Sequence, residues 1–142
     1  MAIGEQERGR FPHLLPGEVR VWRAFLRSYE DRWETFVYDV HVGEGSLPQE
    51  DPSSVFAQNF KWLTKKRIDV IGWNRDQPTI FEVRARASLP LMGQLIGYKE
   101  LWMRDNPTSK PPLLIMVCET CPPDDKGVME NQGISVVEVG SA

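Results

Sequence analysis

The segments Arg67-Ile-Asp-Val-Ile-Gly-Trp73 and Ile80-Phe-Glu-Val-Arg84 decide the fold, because each is an apolar run that carries one carboxylate. Side chains two residues apart on a strand share a face, so the spacing predicts that Glu82 and Arg84 point the same way. A neighbouring strand brings Asp69 beside Glu82. Two carboxylates at one end of a sheet suit a hard divalent cation such as Mg²⁺. The same pattern also fits a hydrogen-bonded structural aspartate and a surface ion pair.

The hydrophobic pattern around these two segments predicts further strands and helices. Residues 17–29 and 90–103 have apolar side chains at spacings of three and four, which is typical of amphipathic helices. Runs rich in β-forming residues predict five strands. These strands are 36–42, 68–73, 79–85, 113–117 and 133–139. A helix over 51–63 and a helical turn within 122–132 complete the prediction.

The order of these elements predicts the fold class. Three consecutive strands with short loops favour an antiparallel meander, and a helix between two strands favours a crossover to a parallel neighbour. We therefore predict an α/β fold in which a central mixed sheet is flanked by helices, in the order αβββαβ(α)β. The 142 residues fit one domain, 1–142, with an irregular N-terminal arm over 1–16.

The composition limits the possible partners. The net charge of −3 means that nucleic-acid binding would need a local basic patch. The predicted patch consists of Lys65, Lys66, Arg67 and Arg86, although the first three also fit a solvated start of a strand. No apolar run reaches transmembrane length, and the polar N-terminus lacks the apolar core of a signal peptide. We expect a cytoplasmic protein with no membrane association.

The two cysteines, Cys118 and Cys121, have C-x-x-C spacing. A structural zinc site needs four ligands, and the chain has only two histidines, both distant in sequence. A redox C-x-x-C normally opens a helix after a strand, whereas here two prolines follow Cys121. We therefore expect one core cysteine and one loop cysteine.

The helix predicted over 90–103 adds Gln94 and Tyr98, four residues apart. Together with Asp69 on the second strand and Glu82-x-Arg84 on the third, this Gln-x-x-x-Tyr pattern resembles the PD-(D/E)XK nuclease superfamily, particularly its RecB-like branch. The resemblance covers about residues 17–139 and implies a restriction-endonuclease-like core. It also implies that Gln94 and Tyr98 face the site and orient the substrate. Apart from the motif, both residues equally fit the polar edge and the core aromatic of an amphipathic helix.

The resemblance assigns further roles around the two carboxylates. Asp69 and Glu82 would hold Mg²⁺ or Mn²⁺, and the main-chain carbonyl of Val83 would complete the coordination sphere. Glu18 stands where many family members place an extra carboxylate of the metal site. A first-turn carboxylate favoured by the helix dipole is the simpler explanation of Glu18.

Arg84 departs from the family pattern, which has lysine at this position. A lysine ammonium is a compact charge that can position the attacking water. Arginine keeps the charge but spreads it over a planar fork, and it does not readily act as an acid or base. Because the fork can still clamp a phosphate, metal and phosphate binding would persist while cleavage is weakened or lost.

These residues lead to two main hypotheses for function. The first is a metal-dependent nuclease that hydrolyses DNA phosphodiester bonds, with DNA as its partner. The alternative is a catalytically inactive nuclease-fold structural protein, for example a component of a bacteriophage virion neck or head-to-tail connector. The chain would then be a phage-encoded minimal core in the virion or host cytoplasm. In both cases we expect a protein partner or a homo-oligomeric assembly. A third hypothesis is an auxiliary DNA-binding module without turnover.

Overall fold

The computed structural model describes residue 11, residues 13–45 and residues 66–140. The elements are α1 (Pro16–Tyr29), a 3₁₀ turn (Glu30–Arg32), β1 (Thr35–Val42), β2 (Lys66–Asn74), β3 (Gln77–Arg86), α2 (Leu89–Asp105), β4 (Leu113–Thr120), α3 (Pro123–Asn131) and β5 (Ile134–Glu138). The helix predicted over 51–63, Lys65 and most of the predicted arm over 1–16 lie outside the described residues.

The described strands form one five-stranded sheet in the order β1-β2-β3-β4-β5. β1 pairs with β2 and β2 with β3 in antiparallel fashion, whereas β3 pairs with β4 and β4 with β5 in parallel. The antiparallel pairing of β2 with β3 follows from the two-residue turn between them, and the parallel pairs follow from the crossovers through α2 and α3. The predicted mixed sheet and its flanking helices are confirmed.

Element boundaries differ from the prediction mainly where polar residues continue a strand. β4 runs on to Thr120, beyond the predicted end at residue 117, because Arg84 pairs with Cys118 and Arg86 with Thr120. The predicted helical turn within 122–132 is the nine-residue helix α3. Cys118 lies buried in β4, and Cys121 lies buried just after it; both are free thiols.

Apolar layers cover both faces of the sheet. On the α1 face, Trp22 is fully buried, and its ring centroid lies 5.1 Å from that of Phe25 and 5.2 Å from that of Phe81. Each such side chain contributes roughly 1.5–3 kcal/mol through burial. The α2 face includes Ile71, Ile80, Leu95 and Trp102. β3 is therefore held between two packed layers, which fixes the backbone that carries Glu82.

A break in the ladder between β1 and β2 changes which face their side chains occupy. Asp39 has a left-handed φ of 56° and is missing from the otherwise regular pairing of these strands. Side chains two apart normally share a face, yet Tyr38 packs in the α1 layer and Val40 in the α2 layer. On β2, Ile68 and Val70 are divided in the same way. The break therefore lies on both strands at the level of Asp69.

Candidate active site

Three carboxylates and one guanidinium meet where β2 and β3 leave their common ladder. The Nη1 atom of Arg84 lies 2.6 Å from Glu82 Oε1 and 3.2 Å from Asp69 Oδ2. The same atom lies 3.9 Å from Glu18 Oε2 and donates a hydrogen bond to the carbonyl oxygen of Val83 at 2.8 Å. The oxygen donors that the sequence assigned to a divalent cation thus surround a single nitrogen atom.

Strand pairing explains how the two strand carboxylates come together. Val70 of β2 pairs with Phe81 of β3, so the next residues, Asp69 and Glu82, follow directly beyond the paired region. Asp69 Oδ2 accepts a hydrogen bond from the backbone N–H of Val83 at 3.0 Å, which holds this carboxylate against β3.

Glu18 combines both interpretations that the sequence left open. Its Oε1 atom accepts a hydrogen bond from the backbone N–H of Leu15 at 3.1 Å, as expected for a carboxylate in the first turn of a helix. Its Oε2 atom is the oxygen that faces Arg84. The side chain therefore secures the start of α1 and also adds negative charge to the site.

The environment of Glu82 disfavours the charged form of its carboxyl group. Its side chain is only 1% exposed, and its Oε2 atom is buried with no hydrogen-bond partner among the described residues. Burial, followed by the negative charge of Asp69, raises the pKa of Glu82 to about 9, although Arg84 opposes the shift. At neutral pH the Glu82 carboxyl therefore holds a proton in the folded, metal-free protein.

The donor set suits a divalent metal ion in its chemistry but not in its present arrangement. Within the described residues, no group of three or more His, Cys, Asp and Glu side chains is arranged to hold a metal as it stands. The Nη1 atom of Arg84 lies among these carboxylate oxygens, where a metal ion would have to bind. The donors themselves, carboxylates and a backbone carbonyl, are those of a hard cation, and Glu82 Oε2 is a buried acceptor without a donor among the described residues. The chemistry of the donor set therefore suits a hard divalent cation, although Arg84 lies among the oxygens.

The two motif residues on α2 occupy different environments. Tyr98 is half-buried, and burial together with the charges of Glu82 and Asp69 raises its pKa to about 12. Its ring packs partly against the α2-side layer. Gln94 is exposed and lines, with Tyr98 and Lys66, a cavity of about 230 Å³. Gln94 thus faces this cavity beside Tyr98.

The predicted basic patch is only partly available. Lys66 and Arg86 are exposed, at the start of β2 and the end of β3. Arg67 is also exposed, but its guanidinium pairs with Asp39 at 2.7 Å. Lys65 lies outside the described residues. Of the predicted basic residues that the structure describes, Lys66 and Arg86 form no ion pair with another described residue and so can contact a phosphate.

Sequence reasoning missed two residues beside Asp69. The Nε2 atom of His13 lies 2.9 Å from the carbonyl oxygen of Asp69, although the two residues are 56 positions apart. Asp39 stands opposite Asp69 at the break in the β1–β2 ladder. No local pattern signals the histidine contact. The one sign for Asp39 is a carboxylate inside a strand of β-forming residues.

Comparisons with known proteins identify the fold. No family model matches the sequence, and no curated protein matches it. The crystal structure of a repair endonuclease from Pyrococcus abyssi is similar, with a TM-score of 0.54 and 14% sequence identity. The match covers 94% of this chain and 50% of that chain, so the present chain spans about half the length of that endonuclease. The mixed α/β fold is therefore similar to an endonuclease fold, as the sequence predicted.

The finer predictions are not decided by this similarity. The RecB-like branch, the roles of the motif residues and the phage origin stay predictions. In the part of the chain that the structure describes, no helix is long and apolar enough to cross a membrane.

Proposed function

We propose that this protein is a divalent-metal-dependent nuclease of the PD-(D/E)XK type that acts on DNA. The observation that carries the proposal is the convergence of Glu18, Asp69, Glu82 and the Val83 carbonyl on one point, at the end of a sheet with an endonuclease-like fold. The buried Glu82 Oε2, which has no hydrogen-bond partner among the described residues, supports it, because such an atom requires either a proton or a cation.

Each residue has a definite task in this proposal. Asp69, Glu82 and the Val83 carbonyl would hold Mg²⁺ or Mn²⁺, with Glu18 as a further carboxylate. When bound, the cation polarises the phosphoryl group and lowers the pKa of a bound water. Arg84 clamps a non-bridging phosphate oxygen through its fork. The Tyr98 hydroxyl keeps its proton at neutral pH, because its pKa is about 12, and so can donate a hydrogen bond to the substrate.

DNA binding in this proposal is local rather than global. Lys66 and Arg86 are exposed and would contact backbone phosphates, and Gln94 would orient the strand from the rim of the cavity. The net charge of −3 disfavours tight non-specific binding. A protein partner or a second copy of the chain would therefore supply the remaining affinity and the substrate choice.

A cleavage assay tests the proposal. Wild type, Asp69→Asn and Glu82→Gln are incubated with Mg²⁺ or Mn²⁺ and with single-stranded, linear or supercoiled DNA. We expect metal-dependent cleavage that falls by about 100-fold or more in both variants, the size expected for loss of one electrostatic catalytic group. Asp76→Asn is the matched control, since Asp76 lies in the β2–β3 turn with a side chain 75% exposed. Inactive wild type on every substrate would overturn the proposal.

A catalytically inactive nuclease-fold protein is the second candidate, for example a structural component of a bacteriophage neck. The observation that favours it is Arg84, which takes the place of the family lysine and lies on the point where a cation would bind. Light scattering after size-exclusion chromatography tests this candidate. A defined homo-oligomer together with inert wild type and inert Arg84→Lys would support it, and a monomer that cleaves DNA would exclude it.

A further inference from the structure

The strongest unexplained feature of the site is the number of partners of one Arg84 atom. Nη1 contacts the carboxylates of Asp69, Glu82 and Glu18 and also the Val83 carbonyl. An ion pair between Glu82 and Arg84 follows from their shared face, but the convergence of four oxygen donors does not. Arg84 is therefore an internal counter-ion rather than a surface cation.

We infer that Arg84 closes the cation site of the ligand-free protein, and that a DNA phosphate draws its guanidinium out, so that cation and phosphodiester bind cooperatively. This inference rests on the proposed function, because it needs a metal ion and a phosphate at this site. It goes beyond that function by making one residue the link between the two ligands.

A cation and the Arg84 guanidinium compete for the same space. A Mg²⁺ ion lies about 2 Å from its oxygen ligands. Nη1 already lies 2.6 Å from Glu82 Oε1 and 2.8 Å from the Val83 carbonyl oxygen, so it fills the volume between the donors. A divalent cation and a guanidinium nitrogen cannot share that point, and their like charges repel. Arg84 must withdraw before a cation can bind to these oxygens.

The Arg84 guanidinium can move towards solvent when it leaves the carboxylates. The Arg84 side chain is 30% exposed, whereas the Glu82 side chain is 1% exposed, so Arg84 borders solvent on one side. Withdrawal deprives it of several charged acceptors at once. A phosphate on the solvent side of Arg84 replaces them, because its oxygens match the guanidinium fork in charge and geometry. The phosphate thus stabilises the open position of the side chain.

Thermodynamic linkage then couples the two ligands. If phosphate favours the open position and the cation requires it, each ligand strengthens the binding of the other by the same factor. Without DNA, Arg84 lowers the affinity of wild type for the cation. A variant that cannot close the site binds the cation more tightly alone and gains little from DNA. Lysine at this position keeps the charge but lacks the fork, so it retains only part of the coupling.

The experiment measures Mn²⁺ binding directly, from the electron paramagnetic resonance signal of free Mn²⁺. Wild type, Arg84→Gln and Arg84→Lys are titrated with and without a short phosphorothioate oligonucleotide, and Mn²⁺ bound by the oligonucleotide alone is subtracted. Arg20→Gln is the matched control, because Arg20 is an exposed arginine paired with Glu119. Circular dichroism verifies that each variant is folded, and Arg84→Lys keeps the test valid if Arg84→Gln does not fold.

We expect the oligonucleotide to strengthen Mn²⁺ binding to wild type by about tenfold or more, within the usual range of coupling between sites. Arg84→Gln should bind Mn²⁺ at least about tenfold more tightly than wild type without the oligonucleotide, and should gain little from it. Arg84→Lys should lie between the two, and Arg20→Gln should match wild type.

Other outcomes overturn the inference and separate it from the proposed function. If Arg84→Gln binds Mn²⁺ no more tightly than wild type, or if the oligonucleotide strengthens both equally, Arg84 is not the link and the inference fails while the metal site stands. If wild type and both Arg84 variants bind no Mn²⁺ in any condition, the proposed metal-dependent function fails with it.

Discussion

Replacing Glu82 by glutamine should stabilise the metal-free protein, although most substitutions of a buried residue destabilise. Glutamine keeps the size of the side chain and removes its charge. The pKa of Glu82 is raised from 4.5 to about 9, first by burial and then by the charge of Asp69. At neutral pH the folded protein therefore binds a proton that the unfolded chain does not, and this difference opposes folding.

The size of the effect follows from the pKa difference. Because pH 7 lies about 2.5 units above the unfolded pKa of 4.5 and below the folded pKa of about 9, proton uptake on folding costs at most about 3 kcal/mol at this pH. Glutamine then replaces a carboxyl that is already neutral in the folded protein, and its amide oxygen still accepts from the Arg84 guanidinium. A buried amide N–H left without an acceptor would cost about 1–2 kcal/mol. We expect a net stabilisation of about 1–2 kcal/mol at pH 7.

The pH dependence provides the sharper test. For a carboxyl with a raised pKa, the contribution to stability is fully present below pH 4.5 and is lost as the pH rises towards 9. The advantage of Glu82→Gln should therefore be small at pH 5 and largest near pH 9. Urea unfolding in EDTA at pH 5, 7 and 9 measures it, with Glu100→Gln as a control because the Glu100 side chain is 66% exposed. A variant less stable than wild type at pH 7, or an advantage that does not change with pH, would refute the reasoning.

Two further predictions concern the core. An added Cβ at Gly72 would lie 2.9 Å from ring atoms of both Phe81 and Trp33, so Gly72→Ala should destabilise by about 1–3 kcal/mol in urea unfolding. Gly127→Ala in α3 is the control, since nothing lies within 4 Å of the added Cβ atom. This variant should stabilise the protein by roughly 0.5–1 kcal/mol. Equal losses of stability in both variants would contradict the steric argument. Burial raises the pKa of Tyr38 from 10.0 to about 12. The protonated phenol therefore contributes to the free energy of unfolding below pH 10, and this contribution is lost as the pH rises from 10 to 12. Absorbance at 295 nm, compared with Tyr38→Phe, should show this phenol ionising near pH 12, and ionisation near pH 10 in the folded protein would contradict the prediction.

The fold was largely predictable because its determinants are local in sequence. Periodic apolar residues placed the two long helices, and continuous apolar runs placed the strands. The contact between Glu82 and Arg84 followed from the alternation of a strand, and the position of Asp69 followed from the short connection between β2 and β3. These features follow from the side-chain periodicity of helices and strands and from short connections along the chain.

The remaining features depend on contacts between distant segments. His13 reaches Asp69 from a position before α1, and no period links the two residues. The left-handed φ at position 39 was not predicted either: aspartate tolerates this conformation, but the alternating strand around it predicts extended backbone. The sequence also indicated a cation at position 84 without revealing that one nitrogen atom would contact the carboxylates of three elements.

The left-handed residue in β1 also affects how the protein behaves at high concentration. Among the described strands, β1 lies at the edge of the sheet, and Val37 on it is 46% exposed. An outer strand with a continuous row of free N–H and C=O groups recruits strands from other molecules and so promotes aggregation. Asp39 interrupts that row after residues 35–38 and places a charged side chain in its middle. The same distortion that lies beside the carboxylates thus leaves only short stretches of strand for unwanted sheet extension between molecules.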